Sequence, residues 1–332
     1  MRLRVIAEDR NIQQTFPNNL LCASMVSLIP FSRNDISKED TEHLGPTMSI
    51  AYLDGNYLPL EEARISPMDR GFLFGDGIYE VVPSYAGKMV GFAPHIARMQ
   101  SGLAAVGIKL DWSEQQWADL CNQLIFDNGS GNLGIYLHVS RGADTKRFHG
   151  FPEAVTPTVF AFAFEIAPPP VADKALAKPY KVTSTQDLRW DRCQIKSTAL
   201  LGNVLHFQQG YEKGHGETLL YNANNELTEA SACNAFIVKD DVVITPLLDN
   251  QKLAGITRHI VLGTLKRDGN IAVEERVVTM DEVRNADEVW ITSSSKEIAP
   301  VIEIDGVPVG DGKVGDIWLR AQALYSAGKF DY

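Results

Sequence analysis

The sequence predicts an α+β fold in two domains, built mainly on antiparallel sheet. The chain has 332 residues, a length that suits about two domains. Strand-like segments outnumber helical ones and do not alternate regularly with them, which argues against a doubly wound parallel sheet. A run of three prolines at 168–170 parts two patterned halves and reads as a linker. The expected layout is an extension over residues 1–47, a small α+β domain over 48–166, a linker over 167–171 and a larger domain over 172–332.

The elements follow in order. Residues 1–47 show no sustained apolar period, so they are expected to be a disordered arm or an over-extended start, with Met48 opening the regular pattern. Residues 49–53 and 57–60 alternate as strands around the turn Asp54-Gly55-Asn56. Gly71, Gly75 and Gly77 are too widely set for a P-loop, and no Lys-Ser/Thr follows. A strand follows over 78–85, with Tyr79 on one face. Ile96, Met99, Leu103 and Val106 recur at helical spacing, so 94–106 reads as a helix carrying His95 and Arg98 near its first turn. Ser113 and its neighbours cap a second helix running to about residue 126. Residues 133–141 and 158–166 read as strands on either side of a loop that holds Lys146, Arg147 and His149.

After the linker come further strands, then Lys196. The alternation of residues 192–195 predicts a strand before it, and Ser197 or Thr198 a helix start after it. Strands are expected at 218–221, 235–238, 242–245 and 288–292, with helices at 253–267 and 314–325.

Composition narrows the function. The hydrophobic fraction of 45% and charged fraction of 22% are those of a globular protein. A net charge of −11 argues against nucleic acid or an anionic membrane as the main partner. Cys22, Cys121, Cys193 and Cys233 show no paired spacing, so neither a disulfide framework nor a zinc site is indicated, and a reducing cytoplasm is the expected setting. No run approaches the ~18 apolar residues of a membrane span. Residues 20–31 are apolar, but Glu8 and Asp9 precede them and no small-x-small site follows, which does not fit a secretory signal.

Four features of the second half share one chemistry. Lys196 at a strand–helix junction is a candidate Schiff-base lysine, because a helix N-terminus and partial desolvation both disfavour its ammonium form. Gly255-Ile256-Thr257 at a helix start offers N–H groups and a hydroxyl to a phosphate. Thr292, Ser293, Ser294 and Ser295 offer more of the same. Glu229 supplies a carboxylate. A phosphorylated aldehyde whose ring nitrogen needs a counter-charge is pyridoxal 5'-phosphate. Each piece also has a plain structural role, as a helix cap, a polar loop or a surface acid.

The stretches Asp69 to Val82, His95-Ile96-Ala97-Arg98, Arg189 to Ser197, Thr228-Glu229-Ala230-Ser231, Gly255-Ile256-Thr257-Arg258 and Thr292 to Gly306 carry a resemblance. From Met48 onward the chain resembles the fold-type IV pyridoxal-phosphate aminotransferases, and within them the D-amino-acid transaminases. The resemblance implies a small α/β domain before a larger pseudo-barrel β domain. It implies that Lys196 carries the cofactor, that Glu229 pairs with its ring nitrogen, and that Arg98, Ile256, Thr257, Ser293 and Ser294 hold its phosphate. It implies that Tyr79, with Arg147 and His149 from a neighbouring subunit, grips the substrate carboxylate. The enzyme would then be a homodimer moving an amino group between a D-amino acid and a 2-oxo acid. The branched-chain L-amino-acid and amine transaminases share the cofactor site, as do aminodeoxychorismate lyases. A non-catalytic pyridoxal-phosphate carrier is the alternative outside enzymes. Two departures stand out: the loop over 142–147 is one residue longer than the family's, and Cys233 stands where serine is usual.

Overall fold

The computed structural model describes residues 49–332. The extension read over 1–47 and the start at Met48 lie outside the described residues.

Two sheets organise what is described. The first has six strands: β1 (Ile50–Leu53), β2 (Asn56–Pro59), β3 (Gly77–Tyr85), β4 (Lys88–Met89), β5 (Asn132–Ser140) and β6 (Thr158–Glu165). They pair in the order β2-β1-β6-β5-β3-β4, every pairing antiparallel. Alternation along β3 and β5 turns Ile78, Val82, Ile135, Leu137 and Val139 toward a common core. Two helices cover that face, α2 (Phe92–Val106) and α3 (Glu114–Asp127). Ile96, Met99 and Leu103 of α2 are buried there, each contributing about 1.5–3 kcal/mol by leaving water. Ser113 starts α3 with a full capping box: its hydroxyl accepts from the Gln116 N–H and the Gln116 side chain returns to the Ser113 N–H. A five-residue helix, α1 (Arg70–Phe74), lies ahead of β3.

All strands of the second sheet follow the proline run. They are β7 (Tyr180–Gln186), β8 (Glu217–Tyr221), β9 (Leu227–Ala230), β10 (Asn234–Lys239), β11 (Val242–Pro246), β12 (Val273–Arg276), β13 (Glu288–Ser293), β14 (Glu297–Ile304) and β15 (Val307–Pro308). The order is β12-β11-β10-β13-β14-β7-β8-β9, with β15 on β14. Most pairings are antiparallel; β7 runs parallel to both β8 and β14, and β11 parallel to β12. The remaining helices are α4 (Leu201–Tyr211), α5 (Ile256–Asp268), α6 (Met280–Arg284) and α7 (Asp316–Gly328). Ile260, Val261 and Leu265 of α5 and Trp318 and Tyr325 of α7 share one buried cluster with Phe236 and Trp290 of the sheet.

Two local expectations are corrected. Residues 192–195 form a turn, not a strand: the Ile195 N–H bonds back to the Arg192 carbonyl. The helix after Lys196 starts at Leu201, not at Ser197 or Thr198, and no side chain caps it. The turn is held by its own bond and by the Cys193 N–H on the Asn250 carbonyl at 2.8 Å, and the late helix start has a separate cause in bonds to β3. The Tyr79 N–H donates to the Lys196 carbonyl at 3.1 Å, the Thr198 N–H donates to Gly77 at 3.0 Å, and Ser197 bridges Ile78. The segment around Lys196 is thus held extended against the start of β3. Gly75 and Gly77 make that approach possible. A Cβ on Gly75 would sit 2.8 Å from Ala199, and Gly75 has φ of +67°, a conformation glycine adopts freely.

Candidate active site

Lys196 and the strand ends around it enclose a cavity of about 360 Å³. Tyr79, Arg98, Lys196, Glu229, Ile256, Thr257, Ser293 and Ser294 all line it, as do Arg189 and Asn234. Eight of the ten residues singled out from sequence therefore meet in one place.

Lys196 is half-buried, and its Nζ lies 4.2 Å from the centroid of the Tyr79 ring. It makes no ion pair with any described residue. Glu229 comes from β9 and is buried. Its Oε1 accepts from Arg189 Nη1 at 2.7 Å; its Oε2 accepts from Asn234 Nδ2 at 3.1 Å and the Leu253 N–H at 3.0 Å. Burial pushes the Glu229 carboxyl up, against the pull of the Arg189 guanidinium and the Leu253 N–H. Arg189 is itself fixed by Asp187, which accepts from its Nε at 3.0 Å and its Nη2 at 2.8 Å.

Beside Glu229 and Asn234, α5 begins at the cavity wall. Gly255 precedes it with no side-chain cap, so the first N–H groups of the helix remain for a ligand. Gly255 must be glycine, because a Cβ there would lie 1.9 Å from Asn234 Oδ1. The Ser293 hydroxyl, also on this wall, is buried without a partner. Arg98 approaches from α2. Its Nε and Nη2 donate to Glu80 at 2.7 Å each, and its Nη1 donates to the Ala254 carbonyl at 2.6 Å. A guanidinium has five N–H donors, so this use leaves donors over. Glu80 also takes His95 Nδ1 at 2.7 Å. Burial alone would raise the Glu80 carboxyl, but Arg98 and His95 hold it down to about 2. Burial draws the His95 imidazole below its usual value in spite of Glu80.

Arg147 and His149 are not brought to this cavity. Their loop is strapped to α1: Arg70 donates to the carbonyls of Phe148 at 2.6 Å and His149 at 3.2 Å. The Arg147 guanidinium lies 5.2 Å from the Phe74 ring centroid, and the His149 ring is as far from the same ring. Sequence reasoning gave no role to Arg189, Asn234 or Glu80. Arg189 stands forty residues from Glu229, so no local spacing links the pair; the one available signal was an arginine inside the stretch leading to Lys196.

A lysine without a counter-ion among the described residues, an uncapped helix start, an unpartnered hydroxyl and an anchored carboxylate line one cavity on a fold of two successive sheets, a donor set whose chemistry suits a phosphorylated aldehyde. The family model for amino-transferase class IV matches residues 77–304. The D-alanine aminotransferase of Staphylococcus aureus (strain MW2) is 37% identical over 283 residues, 83% of this chain and 96% of that protein. The D-alanine aminotransferase of Listeria monocytogenes serotype 1/2a (strain 10403S) is 36% identical over 267 residues, 80% of this chain and 91% of that one. Among solved structures, the branched-chain amino acid aminotransferase of Escherichia coli superposes with a TM-score of 0.77, at 22% identity, covering 85% of this chain and 95% of that one. The chain belongs to the class IV aminotransferases.

Proposed function

We propose that this enzyme binds pyridoxal 5'-phosphate and transfers the amino group of a D-amino acid to a 2-oxo acid. The observation that carries the cofactor is the single cavity shared by Lys196, Glu229 and the uncapped start of α5. The D-configuration rests on relatives named D-alanine aminotransferases at 36–37% identity.

The donors suit the group. The N–H groups of Ile256 and Thr257, the hydroxyls of Ser293 and Ser294 and the spare donors of Arg98 would hold its phosphate. Glu229, ion-paired with Arg189, would hold a proton at the ring nitrogen. The cofactor supplies an aldehyde that condenses with amines and a ring that takes up negative charge. Lys196 would supply the amine that retains it, and the same amine would be the base placed to move a proton at the substrate Cα. Tyr79 closes one side of the cavity. Arg147 and His149, which do not line the cavity of their own chain, would grip the substrate carboxylate in a second copy of the chain. That makes the enzyme a homodimer with shared sites. The buried, unpaired thiols of Cys121, Cys193 and Cys233 suit a reducing cytoplasm.

The purified protein should carry a visible absorption band that D-alanine bleaches and 2-oxoglutarate restores. Bleaching by L-leucine and not by D-alanine would move it to the branched-chain reading. A protein with no band that takes up no added pyridoxal phosphate would sink the proposal.

A further inference from the structure

We infer that Lys329, near the C-terminus, is a positioning residue for the phosphate-holding turn, acting through Glu297; this rests on the cofactor reading above. Ser293 ends β13 and pairs directly with Glu297 at the start of β14, so residues 294–296 form the tight turn between them. The Lys296 N–H returns to the Ser293 carbonyl at 3.3 Å. Glu297 closes the turn with a φ of +54°. A left-handed glutamate is unfavourable, and such a conformation persists only where its surroundings over-determine it.

The surroundings here are ionic and come from the far end of the chain. Glu297 is 1% exposed. Its Oε1 accepts from Lys329 Nζ at 2.5 Å, and its Oε2 accepts from Gln322 Nε2 of α7 at 2.8 Å. Lys329 is 4% exposed, and its Nζ lies 4.4 Å from the ring centroid of Tyr85 on β3. One lysine therefore ties the C-terminus, the end of β3 and the turn together. The carboxylate is gripped at both oxygens, which anchors Glu297 at the base of the turn, directly across from Ser293. A buried ion pair is a poor source of net stability, because desolvation offsets the attraction. Holding a strained turn in the shape that receives a dianion is a use that does not depend on net stability.

The test measures binding, not turnover. The apo forms of wild type, Lys329→Met, Lys329→Arg and the double variant Glu297→Gln/Lys329→Met are titrated with pyridoxal phosphate and separately with inorganic phosphate, and their Tm values are measured without ligand. Lys329→Met should lose affinity for both by roughly ten- to hundredfold, the factor set by the strain released. Lys329→Arg should bind nearly as wild type. The double variant leaves no unpaired buried charge, so it should recover the Tm lost by Lys329→Met while staying weak in affinity. At saturating cofactor, kcat should stay close to wild type in every variant. Affinity that returns together with Tm in the double variant, or that never falls, overturns the inference. A wild type that takes up neither ligand overturns the cofactor reading; normal wild-type uptake with unchanged variants overturns this inference alone.

Discussion

Glu229 and Glu80 are both buried carboxylates of this site, and their surroundings set them in opposite directions. Glu229 is pushed up by burial, whereas Glu80 is drawn down to about 2 by Arg98 and His95. In the unfolded chain Glu80 titrates near 4.5, so as pH falls the unfolded chain takes up the proton first. The stability this group contributes is full above about pH 4.5 and lost as pH falls toward 2. It is on the order of 3 kcal/mol. Thermal midpoints of wild type and Glu80→Gln should therefore differ most near neutrality and converge in strong acid; a gap that widens in acid would contradict the ion-pair assignment. At the reacting end, Lys196→Ala should abolish the visible band and turnover together. Glu229→Gln should keep the cofactor bound and slow the half-reaction seen in single-turnover absorbance, because a neutral amide cannot hold a proton on the ring nitrogen. Lys196 and Glu229 could be singled out from sequence because the chemistry expected of them belongs to the residue type, and the fold brings both to one cavity. Arg189 and Glu80 were not, since their work is done on partners brought close only by the fold.

At the scale of elements, the long periodic segments were legible and the short ones were not. The helix read over 94–106 is α2, and Ser113 caps α3 as its sequence indicates. By contrast α1 and α6, five residues each, carry too little periodicity to announce themselves. The four residues before Lys196 alternate like a strand yet turn, with the Ile195 N–H on the Arg192 carbonyl and the Cys193 N–H on the Asn250 carbonyl, and residues 196–198 are then held by bonds to β3. Two substitutions separate packing from function. Ser113→Ala removes the α3 cap far from the cavity and should cost about 1 kcal/mol of stability, with cofactor affinity unchanged. Gly255→Ala would drive a Cβ into Asn234 and displace one of the donors on Glu229. It should weaken cofactor binding at least about tenfold, a loss of ~1.4 kcal/mol, as read by cofactor titration.

For the whole molecule, the decisive arrangement is that Arg147 and His149 pack beside Phe74 and do not line the cavity of their own chain. If a second copy supplies them, Arg147→Ala should raise KM for the amino acid and leave cofactor affinity intact. A stronger check mixes two weak variants: Arg147→Ala and Lys196→Ala, unfolded and refolded together, should regain measurable activity, since one of the two sites in each mixed dimer is then complete. Activity that stays at the level of the separate variants would show that each chain completes its own site.

Between Lys196 and the Gly-rich turn ahead of β3 the chain is sewn together by bonds of long reach; the Thr198 hydroxyl donates to the Gly75 carbonyl across 123 residues of sequence. During synthesis the first sheet, which ends at Glu165, and its two helices are made before residue 196. A first sheet that forms ahead of residue 196 would present to solvent the edge of β3 at Gly77 and Tyr79 that later bonds to the Lys196 segment, its other edge already paired with β5. Contacts of such separation form late, because chain closure must precede the bonds that reward it. Cofactor capture is then a late event in biogenesis, and arrested chains that end before β9 should hold a protected first sheet in hydrogen exchange while remaining unable to take up pyridoxal phosphate.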